Sequence, residues 1–287
     1  MSAIDIISPG PLSTIQDLGR PGYAHLGVPR SGAANRDSMG LANRLVGNTE
    51  YAAVIESTMG GLSLRASAPV VVAVTGALAT VRVDGTPVGL GAALPLRAGA
   101  ELSIAIPTSG CRTYLAVRGG FDVPRTLGSR STDTLSGLGP APLSAGQRLT
   151  IGNEKGPWPA VTQAPIDAQH SLDLDVSPGP RADRLARVDD LAVGEWEVSG
   201  HSDRVGVRLL RSDPREPLLH HLDDADELAS EGIAHGSVQI PPSGEPVLFL
   251  ADHPVTGGYP VVAVLTAASL SRAAQLVAGD RVRFRFR

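Results

Sequence analysis

Hydrophobic positions along the chain come mostly in short runs. Residues 70–74, 79–83, 102–106, 114–117, 149–151, 238–240, 247–250 and 261–265 are apolar or alternating, and each run is flanked by Gly, Pro, Asp or Ser. Runs of that length between turn residues predict strands. Helical spacing is scarce. Met39, Ala42, Leu45 and Val46 fit one face of a short helix ending at Gly47-Asn48, a pair suited to a left-handed C-terminal cap. Leu270, Ala273, Ala274 and Val277 fit a second helix, stopped by Gly279. Leu218, Leu222 and Leu228 suggest a third over 217–228. The expected fold class is mainly β with a few short helices.

One local pattern recurs. Residues 96–104, 143–151 and 276–284 share Leu-x-Ala-Gly-x-x-apolar-x-apolar, a glycine turn that launches an alternating strand. The unequal spacing of the three copies excludes a solenoid, and a β-barrel in each half of the chain would account for them. Residues 152–170 are rich in Gly, Pro, Ala and Gln and have little periodicity. A domain boundary is expected there, giving an N-terminal domain over 1–155 and a C-terminal domain over 156–287.

Composition narrows the chemistry. The 33 glycines and 23 prolines exceed a usual combined share of roughly 12%; alongside 42% hydrophobic residues they signal turns between strands rather than disorder. A net charge of −4 gives no expectation of nucleic acid. The single cysteine, Cys111, excludes an internal disulfide and a Cys/His zinc site. No apolar stretch approaches the roughly 18 residues of a membrane span. Residues 1–10 have neither a basic start nor a long apolar run, so a cytoplasmic, soluble protein is expected. Lys155 is the only lysine, and the other 24 of the 25 basic residues are arginines. That rules against a P-loop, covalently attached biotin and a catalytic lysine. Side-chain anion binding is left to arginine, whose planar fork suits carboxylates and phosphates.

None of the seven histidines stands in His-Glu-x-x-His or His-x-His spacing, so no metal site is expected. His220 and His221 precede the acidic run Asp223, Asp224, Asp226 and Glu227, which reads as a solvated helix face. Gly-x-Ser-x-Gly is absent. Ser202 lies in Gly200-His201-Ser202-Asp203-Arg204-Val205-Gly206, and two readings stay open there: a turn bonded by Ser202 or Asp203, or an Arg204 that enters an anion pocket. Three polar, glycine-containing stretches exceed what a barrel needs: 14–22 leading into 27–35, 227–232 followed by 236–242, and 251–260. In the last, Thr256-Gly257-Gly258 suits either a tight turn or a backbone nest for a developing oxyanion.

Taken in order, these stretches resemble a known family. The residues are Gln16-Asp17-x-Gly19-Arg20-x-Gly22; Gly27-Val28-Pro29-x-Ser31-Gly32-Ala33; Ala42-Asn43-Arg44-Leu45-Val46-Gly47-Asn48 with Glu56; Tyr114-Leu115-Ala116-Val117-Arg118-Gly119-Gly120-Phe121-Asp122-Val123-Pro124; and Gly128-Ser129-Arg130-Ser131-Thr132-Asp133. Later come Pro178-Gly179-Pro180-Arg181, Ser202-Asp203-Arg204-x-Gly206-x-Arg208-Leu209, Glu227-Leu228-x-Ser230-Glu231-Gly232, Gln239-Ile240-Pro241-Pro242-x-Gly244 and Thr256-Gly257-Gly258-Tyr259-Pro260. The chain resembles the biotin-dependent carboxyltransferase family, whose members are also called allophanate hydrolase subunit 2 or the C subunit of 5-oxoprolinase. It is similar to part of the carboxyltransferase region of urea carboxylase. It departs from that pattern at Asn35 (often Asp), Val255 (a second Thr) and Arg211 (usually Pro).

The resemblance implies two cyclophilin-like β-barrel domains. It also implies a partner, allophanate hydrolase subunit 1 (the B subunit of 5-oxoprolinase), and often an A subunit as well. The implied reaction is ATP-dependent opening of 5-oxoproline to glutamate, with ATP bound by this chain or a partner. Phosphorylating a lactam oxygen turns it into a leaving group, which leaves the protein to position the substrate and stabilise oxyanion charge. On that reading Arg204 pairs with the substrate's carboxylate or phosphoryl group and Asp252 or Glu231 handles a proton. Gln239 orients the ring, and Thr256, Gly257 and Gly258 supply backbone donors. Tyr259, Ser202, Asp203, Gln16, Asp17 and Arg20 complete the expected substrate-binding set, with Arg20 and Arg118 behind Arg204 as anion contacts. Two alternatives remain: a carboxyltransferase component that takes CO2 from carboxybiotin on a separate carrier, with Gln239 or Tyr259 at the ureido oxygen, and a non-catalytic regulator that binds the subunit 1 partner. An amidase is not expected, since Ser-Ser-Lys chemistry needs a lysine in other surroundings than those of Lys155.

Overall fold

The longest apolar runs lie in a sheet that is covered on both faces. In the computed structural model, which describes residues 2–166, 172–222 and 228–287, strands Leu12–Gln16, Val54–Thr58, Ser109–Val117, Val70–Leu78 and Ala93–Leu96 form a five-stranded antiparallel sheet in that spatial order. Ile15, Ile55, Val72, Val74, Leu115 and Val117 join one core, while Val54, Ala73, Tyr114 and Ala116 join another with helix residues Met39, Ala42 and Leu45. With both faces buried, every position wants an apolar residue, so 70–74 and 114–117 read as continuous runs rather than alternations.

The chain divides into two units. The first comprises Met1–Arg20, Ser31–Asp133 and Gly137–Gln169, the second Pro21–Arg30, Thr134–Ser136 and His170–Arg287. The glycine- and proline-rich stretch after 152 runs along the first unit. The N–H groups of Gly152 and Gly156 donate to Gly120 O (2.9 Å) and Gly47 O (2.8 Å), Ala93 N–H to Thr162 O (2.8 Å), and Ala164 N–H to Gly91 O (2.9 Å). Residues 156–166, grouped by composition with the second domain, therefore hydrogen-bond within the first unit.

A second sheet of the first unit runs Arg148–Thr150, Ala3–Pro9, Leu62–Ala66, Glu101–Ile104, Val81–Val83, Thr86–Val88. Its Ile4, Ile6, Leu62, Leu64 and Leu102 meet the five-stranded sheet across one shared core. Asp84 (φ 49°) and Gly85 (φ 80°) form its last hairpin turn, the left-handed pair that a two-residue hairpin demands. In the second unit, seven strands close a barrel in the order Asp173–Pro178, Val261–Leu265, Ser237–Gln239, Val247–Phe249, Gly206–Arg211, Trp196–Val198, Arg281–Phe286. Parallel pairing of 173–176 with 283–286 makes the closure. Strand Arg281–Phe286 alternates: Val282 and Phe284 point into the core with Trp196 and Leu248, and Arg281, Arg283 and Arg285 point out.

The recurrent glycine pattern is a turn before a strand in all three places. Gly99, Gly146 and Gly279 have φ of 81°, 81° and 88°, and no neighbour would obstruct a Cβ at any of them. Backbone conformation alone, not crowding, therefore selects glycine. The first helix, Arg36–Leu45, is capped by Asn35, whose side chain accepts from Ser38 N–H at 3.0 Å; an Asp there would accept the same bond. It ends at Gly47 (φ 66°), as expected. The second helix is Ala267–Ala273, starting at a Thr266 cap and closing before Val277.

The expected third helix is not formed in its described part. Leu219 N–H bonds to Gly244 O, Leu222 N–H to Arg184 O, and Ala186 N–H to His220 O. Backbone groups that pair with distant segments are not available for a helical ladder. Leu218 and Leu222 are exposed, and Leu219 is the buried residue. Asp223, Asp224, Asp226 and Glu227 lie outside the described residues. Arg211, where the resembled family has Pro, stacks on Trp196 with its guanidinium carbon 3.6 Å from the ring centre and donates to Asp190 O and Pro217 O, each at 2.8 Å.

A pair of buried amides joins the first helix to the sheet beneath it. Asn48 Nδ2 donates to Val117 O (2.8 Å) and Asn43 Oδ1 (3.0 Å), Asn48 Oδ1 accepts from Gly119 N–H (2.7 Å), and Asn43 Nδ2 donates to Ala52 O (2.9 Å). Asn48→Ala strands Gly119 N–H and Asn43 Oδ1, at about 1–3 kcal/mol for each orphaned group, while Val117 O keeps the Gly120 N–H at 2.8 Å. Urea unfolding followed by circular dichroism should show a clearly lowered midpoint with an unchanged slope, and an unaltered midpoint would contradict the role given to Asn48.

Candidate functional site

Six of the expected residues lie in the second unit on or beside a two-residue strand pair. Glu231–Gly232 runs antiparallel to Thr256–Gly257, with Glu231 opposite Gly257. A Cβ on Gly257 would fall 2.5 Å from Ile233 Cδ1 and 3.0 Å from Gln239 Nε2, so a larger residue there would have to push these side-chain ends aside. Gln239, buried, donates from Nε2 to Tyr259 O at 2.8 Å. Gly258 and Tyr259 are exposed.

Arg181 belongs to the same cluster. Gly179 N–H donates to Val262 O (2.7 Å) and Arg181 N–H to Val261 O (3.0 Å), laying the end of strand Asp173–Pro178 along its neighbour. From there the Arg181 guanidinium grips Glu231: Nε lies 3.0 Å from both carboxylate oxygens, and Nη2 donates to Oε1. This hydrogen bonding holds the Glu231 carboxyl below the ordinary glutamate range, against the opposing effect of burial, and the charges of Arg181 and Arg184 act in the same downward direction. The same bond raises the pKa of Arg181. While Arg181 holds it, Glu231 is an ionised carboxylate and a weak base.

Arg204 and Asp252 pair with each other. Arg204 donates from Nε to Oδ2 (2.9 Å) and from Nη2 to Oδ1 (3.0 Å), with side chains 1% and 0% exposed. Thr134 adds its N–H (2.9 Å) and hydroxyl (2.7 Å) to Oδ2. A carboxylate bonded by a fork, an amide and a hydroxyl is poorly placed to take up a proton, and an anion reaching Arg204 has to compete with Asp252. Next to Asp252, His253 is buried and donates from Nδ1 to Pro254 O at 2.8 Å.

Ser202 and Asp203 make a turn, the first of the two readings open for that segment. Asp203 Oδ1 accepts from Val205 N–H (2.8 Å) and Gly206 N–H (3.1 Å), and Ser202 Oγ accepts from Arg208 N–H (3.1 Å). Asp203 lines an open groove of about 600 Å³ with Ser199, His201, Arg208 and Glu245, and none of these residues is in the Glu231 cluster.

Gln16, Asp17 and Arg20 belong to the first unit. Asp17 accepts four bonds: Oδ1 from Gly19 N–H (2.8 Å), Ser129 Oγ (2.5 Å) and Ser131 Oγ (2.6 Å), and Oδ2 from Arg130 N–H (2.6 Å). Arg20, buried, donates to Ser131 O and Thr126 O. Both side chains thereby fasten residues 126–131. Gln16 donates to Thr132 O (2.9 Å) and Thr14 Oγ1 (3.0 Å), and its buried Oε1 accepts no hydrogen bond among the described residues. Arg118 is also occupied, donating to Val46 O, Gly47 O and Gly156 O beneath Trp158.

Sequence reasoning passed over Arg181 and Thr134 as site residues. Arg181 was visible only as the end of Pro178-Gly179-Pro180-Arg181, and its partner Glu231 is 50 residues away, beyond any local spacing rule. Thr134 directly follows the polar run 128–133, the one signal that pointed to it. Among the described residues no three His, Cys, Asp or Glu side chains converge as a metal-ligand set.

Residues 26–286 match the family described as Carboxyltransferase domain, subdomain A and B. The chain is 35% identical to the C subunit of Escherichia coli 5-oxoprolinase, across 98% of this chain and 90% of that protein. Among solved structures it is similar to TTHA0988 (TM-score 0.88, 33% identity, 99% of this chain) and to the urea amidolyase of K. lactis (TM-score 0.86, 30% identity, 98% of this chain). It spans 56% of the first of these and 18% of the second. With the family matched over nearly its whole length, this chain belongs to the carboxyltransferase domain, subdomain A and B, family.

Proposed function

We propose that the chain is one component of an ATP-dependent 5-oxoprolinase that opens 5-oxoproline to glutamate, acting with a B-type partner (allophanate hydrolase subunit 1) and an A-type component. The observation that carries this reading is the likeness to the C subunit of Escherichia coli 5-oxoprolinase across 98% of this chain and 90% of that protein. The word "subunit" in that protein's name supports an assembly. ATP is assigned to the assembly rather than to this chain, whose only lysine, Lys155, stands outside any Gly-Lys-Ser or Gly-Lys-Thr loop.

An unstrained lactam is a poor electrophile until its oxygen is phosphorylated, after which positioning and charge stabilisation dominate. In this reading the Thr256-Gly257-Gly258 backbone faces the carbonyl oxygen, Gln239 and Tyr259 orient the ring, and Glu231 handles a proton. Arg204 and Asp252 act as a buried support that fixes the turn through Ser202 and Asp203. Gln16 offers its unbonded Oε1 to a donor, while Asp17 and Arg20 hold the 126–131 loop.

A second reading is favoured by the family itself and by the fit to the K. lactis urea amidolyase: a carboxyltransferase component that receives CO2 from carboxybiotin on a separate carrier, with Gln239 or Tyr259 at the ureido oxygen.

Co-purification with the products of neighbouring genes, followed by measurement of glutamate formed from 5-oxoproline and ATP with each component omitted in turn, separates the readings. Loss of activity on omitting this chain is the expected result. Activity undiminished without it would remove it from the reaction, and dependence on a biotinylated carrier would favour the second reading. For the buried pair, Arg204→Met and Asp252→Leu should each destabilise the second unit by about 3–5 kcal/mol, because each strands a charge. The double variant should recover most of that loss. Unfolding read through Trp196, which is fully buried in that unit, checks this; strictly additive losses would show that the pair does not act as a unit.

A further inference from the structure

Two arginines of the second unit are each gripped by a carboxylate, and their surroundings differ. Arg204 and Asp252 are 1% and 0% exposed, whereas Arg181 and Glu231 are each 36% exposed. Parting a buried pair strands an unsolvated charge. A half-exposed pair exchanges partners with water and solutes at little cost. An incoming anion therefore meets Arg181 far more easily than Arg204. The Arg181 backbone is anchored by its own bond to Val261 O and that of Gly179 to Val262 O, so its side chain springs from a fixed point on the barrel. Glu231 sits on the strand pair that carries Thr256 and Gly257, with Gln239 against Gly257.

We propose that Arg181 is the receptor for a carboxylate on the substrate, and that Glu231 occupies it as an internal stand-in which an acid-bearing lactam displaces on binding. This rests on the 5-oxoprolinase reading and adds to it the residue that recognises the acid group. The planar fork now bonded to the Glu231 oxygens is equally matched to a substrate carboxylate, and Arg184 contributes to the same positive field. Once displaced, Glu231 loses the hydrogen bonds that hold its carboxyl low and becomes a stronger base beside Thr256 and Gly257. A neutral lactam, or urea, has no group to exchange with Glu231, so the same device selects against substrates without an acid.

The test is isothermal titration of the full chain with 5-oxoproline and with 2-pyrrolidinone, the same ring without its carboxylate. The wild type should prefer 5-oxoproline by tenfold or more. Arg181→Gln should erase that preference, and Arg181→Lys, which keeps the charge but not the fork, should retain part of it. Glu231→Gln should bind 5-oxoproline several-fold tighter, since the competing carboxylate is gone, while turnover in the reconstituted complex falls. A purely structural Arg181–Glu231 pair would instead weaken binding in the same direction in both variants. A wild type without preference, a preference that survives Arg181→Gln, or a Glu231→Gln variant that binds more weakly would each overturn the proposal. The two readings fail separately. An assembly that leaves 5-oxoproline unchanged while these binding signs hold removes the 5-oxoprolinase reading and keeps the receptor. Turnover with an unchanged KM in Arg181→Gln removes the receptor and keeps the reaction.

Discussion

Arg204 and Asp252 stand 48 residues apart in sequence and meet as a two-pronged ion pair with almost no solvent contact. Once desolvated, neither can be released without leaving the other charge uncompensated, and the Thr134 amide and hydroxyl close the remaining access to Asp252. The pair ties the turn before strand Gly206–Arg211 to the segment after Val247–Phe249, and backbone bonds between Asp252 N–H and Arg204 O, and between Leu250 N–H and Val205 O, run alongside it. Its chemical consequence is that the most buried arginine of the barrel is held by a carboxylate of its own unit, whereas the Arg181 guanidinium is one that water already reaches.

That division of labour orders the rest of the second unit. Glycines at 179 and 257 bring backbone close where the cluster is assembled, at Val261 O and at Gln239 Nε2. Arg181 and Glu231, half-exposed and mutually bonded, form the adjustable part, while Gln239, buried and bonded to Tyr259 O, forms a fixed part. In the first unit Asp17 plays a role like that of Asp252, a carboxylate saturated by donors from one loop. The same fold occurs at different scales, since this chain spans 90% of the Escherichia coli relative and 18% of the K. lactis urea amidolyase chain. The two-unit body is thus used both nearly alone and as a part of much longer chains.

Much of the fold was legible where local rules dominate. The helix before Gly47, the glycine turns at 99, 146 and 279 and strand Val261–Leu265 all follow from period, cap and turn chemistry. Legibility failed at 217–222, where leucines at helical spacing mimicked an amphipathic face but the backbone pairs with Arg184 and Gly244 instead. It failed again for the pairings that set the site. Arg204 was singled out as an anion contact, yet its partner Asp252 and the grip of Arg181 on Glu231 depend on contacts across the barrel, which no spacing along the chain encodes. The membership of Glu231, Gln239, Thr256, Gly257 and Tyr259 in one cluster came from a resemblance in sequence order, and their geometry required the structure.

On the proposal made above, the half-exposed Arg181, not the sealed Arg204, meets the acid group of the substrate. A crystal structure of the chain with 5-oxoproline bound tests it most directly. The expected result is a ligand carboxylate within hydrogen-bonding distance of the Arg181 guanidinium, with Glu231 rotated off it and the Arg204–Asp252 pair intact. A ligand carboxylate seated on Arg204 with Asp252 displaced, or an unbroken Arg181–Glu231 pair with the ligand bound elsewhere, would contradict it.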